Sequence, residues 1–520
     1  YILNKNKLFK NTDKHILIII ILYICLQAAY LISEYTIAGG SFGAPLDDVW
    51  IHFRFAENFA HGFFYQYNPG EPTPGTTSPL WVIILAVPFL FSQNLILPYA
   101  LFVSSLFFLL ALIQLYRLCV KLGFDGIYSL LITLITMAAG RLLWSSLSGM
   151  EITLFVLLSV LIIKIHLKEI TTGKVTLLTG LLLGIAANTR PETYLLAGLY
   201  YLTTLYLLRN KLKGNFPKLI LSGVIFLILL LPYPLFSYMH TGGFLPNTYE
   251  GQVGSAKYLP NFTFIIESAK IFIKDNFVIF ILWGLSAIYF VYTIIKKKVE
   301  SNFLLLNLWI FLLPLVSAFI APNWRHHGRY LIPLIPFINI SAIYILRKLH
   351  TYYEAKGYRR YTLFRKGTIA VILIASVNSG VLFAGVLGWN VENINNQQGK
   401  IAAWLNQNLP GETAFGMNDI GIITFKTKKY VVDMAGLVTP EVFGFQKMSY
   451  EDGSKALFKF LKAKGVNYII IYPDWFEYIM ANYSGAFTQV HSQKLQKNTI
   501  CGGIEMFVYK INWDKIFPEK

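Results

Sequence analysis

Between Lys14 and Glu34 the stretch Ile16–Ser33, ILIIIILYICLQAAYLIS, carries no charged residue. A bilayer core takes roughly 20 apolar residues of helix, so this stretch reads as a membrane span. It is too long, and too poorly flanked by small residues, for a cleaved signal peptide. Working outward, comparable segments fall at 95–118, 126–140, 150–168, 175–188, 191–208, 218–238, 276–296, 302–320, 330–347 and 368–388, giving about eleven spans. The short ones, 126–140 and 175–188, can still cross if flanking residues snorkel or the bilayer thins. Composition agrees: 520 residues, 55% hydrophobic and 16% aromatic, with a mean hydropathy of +0.52, exclude an ordinary soluble protein.

A formal net charge of +18 invites a nucleic-acid reading, but the distribution answers it. Basic residues crowd alternate loops, as in Lys5, Lys7, Lys10 and Lys14, in Lys296-Lys297-Lys298, and in Arg359, Arg360, Arg365 and Lys366. The intervening loops hold only scattered cations such as Arg54, Arg141, Arg190 and Arg329. This is the positive-inside pattern, so the excess records topology and contact with anionic lipid. The N-terminus is then cytoplasmic, and the chain is a multi-pass protein of the cytoplasmic (inner) membrane. Pro79–Phe91 is short and broken by Pro88. A full crossing there would reverse every later loop, so it reads as a re-entrant or juxtamembrane helix walling a cavity. Three cysteines, Cys25, Cys119 and Cys501, support neither a disulfide framework nor a thiolate metal site.

The expected domains are a membrane part, 1–388, whose first extracytoplasmic loop is 34–78, and an extracytoplasmic part, 389–520. In the latter, 399–409 and 454–464 read as helices, and 413–417, 429–432 and 468–472 as strands. Their alternation points to a small α/β domain. The fold class is mostly α, polytopic, with juxtamembrane helices and this appended domain.

Ionisable residues gather on the expected outer side, and such groups at helix ends mark a functional site by default. Asp47-Asp48 opens a helix running to about Ala60. The pair either caps that helix or supplies a general base, one carboxylate acting while the other orients it or binds a cation. Asn323–Tyr330, with Arg325, His326, His327 and Arg329, offers phosphate donors or an interfacial anchor. His326 and His327 alone make a poor metal site. Arg190-Pro-Glu192 is either a turn whose arginine pairs with a carboxylate or a phosphate or sugar contact. Ser148–Glu151 reads as a capping box or as part of the site. The loop 241–250 mixes turn formers with aromatics.

Taken in order, Asp47–Asn58, Tyr67–Trp81, Ser148–Glu151, Thr189–Glu192, Leu245–Tyr249, His327–Tyr330, Asn418–Gly421 and Asp433–Leu437 resemble the GT-C membrane glycosyltransferases. The branch they most resemble is that of the mycobacterial terminal arabinofuranosyltransferases. The chain departs from the commoner Asp-Asp-Ala-Tyr in Val49 and Trp50, and it carries Pro74.

The resemblance implies a polyprenyl-phosphate sugar donor and an extracytoplasmic glycan, lipid or protein acceptor, with membrane lipids but no nucleic acid as partners. It places the base on Asp47 or Asp48 and the donor phosphate on Arg190, His327 and Arg329. Substrate contacts fall on His52, Arg54, Glu151, Glu192, Asn247, Tyr249, Asn418, Asp419 and Asp433. A divalent cation on Asp47 or Asp48 fits the pattern, and no other cofactor is assigned. One base and a phosphate leaving group suit a single displacement with inversion. The alternatives are a ligase or polymerase acting on polyprenyl-diphosphate glycans, and a lipid or glycan transporter.

Overall fold

The computed structural model describes residues 2–246, 259–409, 411 and 413–517. Helices stand at all the expected spans. Among the described residues seven are long and apolar enough to cross a membrane, or eight if the pair Gly126–Met137 and Gly140–Ser146, bent by 64°, is one span. The shortfall from eleven has a physical origin. Leu177–Ala187 and Thr193–Leu207 have only 11 and 15 residues, about 16 and 22 Å of helix against a core of about 30 Å. Ile152–Thr172 is long enough but places Lys164, Lys168 and Glu169 towards its end. Hydropathy sums residues without seeing where a helix stops.

The chain divides into two compact units. The first comprises Tyr1–Ile32, Leu101–Leu231 and Ser255–Gly385. Its short helix Leu177–Ala187 packs on Leu212–Leu230 through glycines. A Cβ on Gly180 would lie 2.1 Å from the Ser222 carbonyl oxygen, and one on Gly184 would lie 2.6 Å from Leu229 Cβ. Small residues four apart let two backbones approach, as is common where lipid provides no hydrophobic drive.

The second unit comprises Ser33–Ala100, Pro232–Gly254 and Val386–Lys520, so the first loop groups with the C-terminal part of the chain. Its sheet has the order β2-β1-β3-β5-β4, where β1 is Ala414–Met417, β2 Val431–Asp433, β3 Val466–Ile471, β4 Phe487–Lys494 and β5 Glu505–Ile511. The first three strands run parallel, while β5 is antiparallel to both β3 and β4. Helices Lys400–Asn408 and Tyr450–Ala463 and strands β1 to β3 fall where the sequence puts them.

The first loop is bound to this sheet by its own motif. Asn68 donates to the Val431 carbonyl at 2.8 Å and accepts from its N–H at 3.2 Å, while the Tyr67 hydroxyl donates to the Ile420 carbonyl at 2.7 Å. Glu71 takes the Lys464 ammonium at 2.7 Å. Helix Asp47–Ala60 is buried from Val49 to Asn58, with Trp50 and Phe53 against Phe425. Pro79–Leu90, apolar but shorter than a span, packs beside it.

Candidate active site

Three polar residues occupy the ends of parallel strands in the second unit. Asp419 follows β1, Asp433 ends β2 and Tyr472 follows β3. Ligands of open α/β sheets gather at the carboxyl ends of strands, where loops diverge.

Asp47 joins this end of the sheet. It is the first residue of its own helix, whose cap Leu46 offers no side-chain bond. Its two carboxylate oxygens instead accept the N–H groups of Gly421 (2.7 Å) and Ile422 (2.8 Å). Capping therefore occurs, but on the helix Gly421–Thr427 rather than on the helix that Asp47 begins. The approach requires glycine, since a Cβ at Gly421 would lie 2.1 Å from the Asp47 carbonyl oxygen. Burial pushes the Asp47 carboxyl well above the ordinary range, and the nearby charges of Asp419 and Asp48 push the same way against the two amides.

Asp419 accepts from Gln398 Nε2 at 3.1 Å, from Asn418 Nδ2 at 3.4 Å, and lies 3.1 Å from the Tyr472 hydroxyl. Burial raises it too, with Asp48 adding to the effect and Tyr472 and Gln398 opposing it. That hydroxyl also lies 2.8 Å from Gln397 Oε1. Gln397 and Gln398 sit in a π-helical turn, Asn395–Gly399, a feature that recurs at functional sites. Asp433 instead builds its own turn, accepting from Ala435 N (2.8 Å) and Val438 N (3.0 Å), and burial pushes it up to about 6. His52 is buried with Nδ1 3.5 Å from Thr76 Oγ1. Arg54 donates to Glu57 at 2.9 Å, and Lys428 closes on the same carboxylate at 2.6 Å.

The first unit holds the cationic candidates. Arg190 is buried between two carboxylates, 2.7 Å from Glu151 and 2.7 Å from Glu192. Glu151 is thus an ion-pair partner, and the helix beginning at Ile152 has no side-chain cap. The Tyr330 ring lies between two guanidiniums, Arg190 at 5.1 Å and Arg329 at 5.2 Å, and its hydroxyl accepts from Arg329 at 3.0 Å. His326, His327 and Gly328 all have positive φ, 50°, 61° and 69°. Such conformations cost energy at non-glycine residues and cluster at functional sites. The His327 ring meets Trp144 and Phe383 edge-on, and its carbonyl accepts from Arg141, which also pairs with Asp275 at 2.7 Å. Asn247 and Tyr249 lie outside the described residues.

Sequence reasoning missed Gly421, Gln397, Gln398 and Tyr472 as site residues, and Tyr67 and Asn68 as the fasteners of the first loop. Gly421 left a readable trace in the motif Asn418–Gly421, as did Tyr67 and Asn68 in Tyr67–Trp81, while Gln397, Gln398 and Tyr472 left none. Among the described residues no group of three or more His, Cys, Asp or Glu side chains is arranged to hold a metal ion.

Among the described residues, seven or eight helices of membrane length and a C-terminal sheet give the chain the architecture of a multi-pass membrane protein, and its fold is shared with solved structures. Over 96% of its length the chain is similar to crystal structures of ArnT from Cupriavidus metallidurans. With undecaprenyl phosphate bound, the identity is 13%, the TM-score 0.58 and 99% of that chain is covered; for the apo state the TM-score is 0.60. The apo oligosaccharyltransferase of Archaeoglobus fulgidus is similar over 95% of this chain and 75% of its own, at 12% identity and a TM-score of 0.57. Residues 390–510 match a family model described as a domain of unknown function, DUF8728. No match is found among curated proteins.

Proposed function

We propose that the chain transfers a sugar from a polyprenyl-phosphate donor to an extracytoplasmic acceptor, with Asp47 as general base. The observation that carries this reading is the Asp47 carboxylate, fixed by two backbone amides and crowded by Asp419 and Asp48. A base must be aimed and must hold a proton strongly enough to take it from a hydroxyl. The amides aim it; burial and like charge strengthen it. Each oxygen accepts one N–H and keeps a second lone pair for the acceptor.

The acceptor oxygen gives its proton to Asp47 and bonds to the anomeric carbon. The bond from that carbon to the phosphate oxygen breaks, with inversion, and polyprenyl phosphate leaves without needing an acid. Arg329 and His327 take the donor phosphate in this reading. Arg190, neutralised by Glu151 and Glu192, braces Tyr330 and through it Arg329. Asp48 tunes the pair by its charge, and Asp419, steadied by Gln398 and Tyr472, does the same from the sheet. The finer kinship with terminal arabinofuranosyltransferases rests on the ordered motifs alone.

A raised carboxyl becomes a base only as pH climbs through its elevated value. The acid limb of kcat/KM should therefore lie above the ordinary carboxylate range of about 4. Asp419→Asn removes one charge that raises Asp47, so the limb should move to lower pH. A wild-type limb near 4, or an upward move in D419N, would contradict the assignment.

A further inference from the structure

We infer that a groove in the C-terminal domain binds the acceptor as a neutral or amino-bearing saccharide. The inference rests on the transfer reading above, since it names the kind of acceptor. The groove measures about 980 Å³, within the usual size of ligand pockets. It lies at the carboxyl ends of the parallel strands: Met434, directly after β2, and Asp474 and Trp475, just after β3, all line it.

Its lining pairs aromatic faces with hydrogen-bonding side chains. Trp475 is 51% exposed and Tyr450 84%, large rings left in solvent in a domain with a well-filled core. Tyr450 stacks on Tyr478 at 6.3 Å. A sugar presents C–H faces that pack on such rings and hydroxyls that need polar partners. Asp474 and Glu477 supply those partners, and among the described residues no lysine or arginine lines the groove. The two carboxylates would repel a phosphate headgroup or an acidic glycan and would attract an amine. The groove is also linked to the carboxylate cluster, because Tyr472, which reaches Asp419, packs 5.5 Å from Trp475.

The test is binding by the full-length protein in nanodiscs, titrated with mannotetraose, chitotetraose and fully deacetylated chitotetraose, with tetragalacturonate as the acidic control. At least one of the first three should bind, and tetragalacturonate should not. Trp475→Ala and Tyr450→Ala should each weaken binding about tenfold, as loss of an aromatic anchor does. Asp474→Asn should weaken the deacetylated sugar most. Binding is read without donor and apart from transfer, so that failure of the catalytic reading and failure of this one are told apart. Tyr450 is so exposed that its loss leaves folding intact, which guards against a misfolded W475A. The inference is overturned if none of the three sugars binds, if binding survives in both aromatic variants, or if tetragalacturonate binds best. It is also overturned if brominated lipids quench a fluorescence component that Trp475→Ala removes, which would make the groove a lipid contact.

Discussion

Asp47→Asn is expected to lower sugar transfer by about 10²–10⁴-fold, the usual contribution of a positioned general base. The amide is nearly isosteric. It keeps one oxygen to accept from the Gly421 or Ile422 N–H, turns its NH2 towards the other, and removes one of three neighbouring negative charges. Loss of the second acceptor and relief of repulsion oppose each other, so thermal stability should change little while turnover collapses. Asp48→Asn leaves both amide bonds to Asp47 in place and removes a charge that raises its carboxyl, so its loss of transfer should be smaller. Transfer assays on membranes holding equal amounts of each variant check this. Full activity in D47N together with a collapse in D48N would exchange the two roles.

The second large effect is on stability. Arg190→Met should cost about 3–5 kcal/mol, because removing one member of a buried ion pair strands the other. Here it strands two: the side chains of Glu151 and Glu192 are only 4% and 11% exposed. The triple variant R190M/E151Q/E192Q should recover much of the loss, since no unpaired charge remains. Thermal unfolding in detergent reads both. A triple variant no more stable than R190M would show that Arg190 acts through its contact with Tyr330 instead.

The membrane part of the fold could be read from hydropathy because lipid rewards composition more than detail. The same averaging concealed the bend after Met137 and how short the helix after Thr189–Glu192 is. In the sheet domain β3 was legible as an apolar run. Strand β4, Phe-Thr-Gln-Val-His-Ser-Gln-Lys, is an edge with little buried surface, and it left no alternation to read.

The site divides along a similar line. Asp47 was visible as a carboxylate at a helix start, but its partners Gly421 and Ile422 lie 374 and 375 residues away, and only folding brings them together. Arg190 was legible as an arginine beside Glu192; its second partner, Glu151, is 39 residues distant. Tyr472 looked like one more apolar strand residue, because nothing local shows that its hydroxyl meets Asp419.

The donor is the centre of the account, and mass spectrometry of lipid that co-purifies with the protein tests it most directly. A polyprenyl monophosphate, bare or carrying a sugar, is the predicted result, and a polyprenyl diphosphate glycan in its place would contradict it.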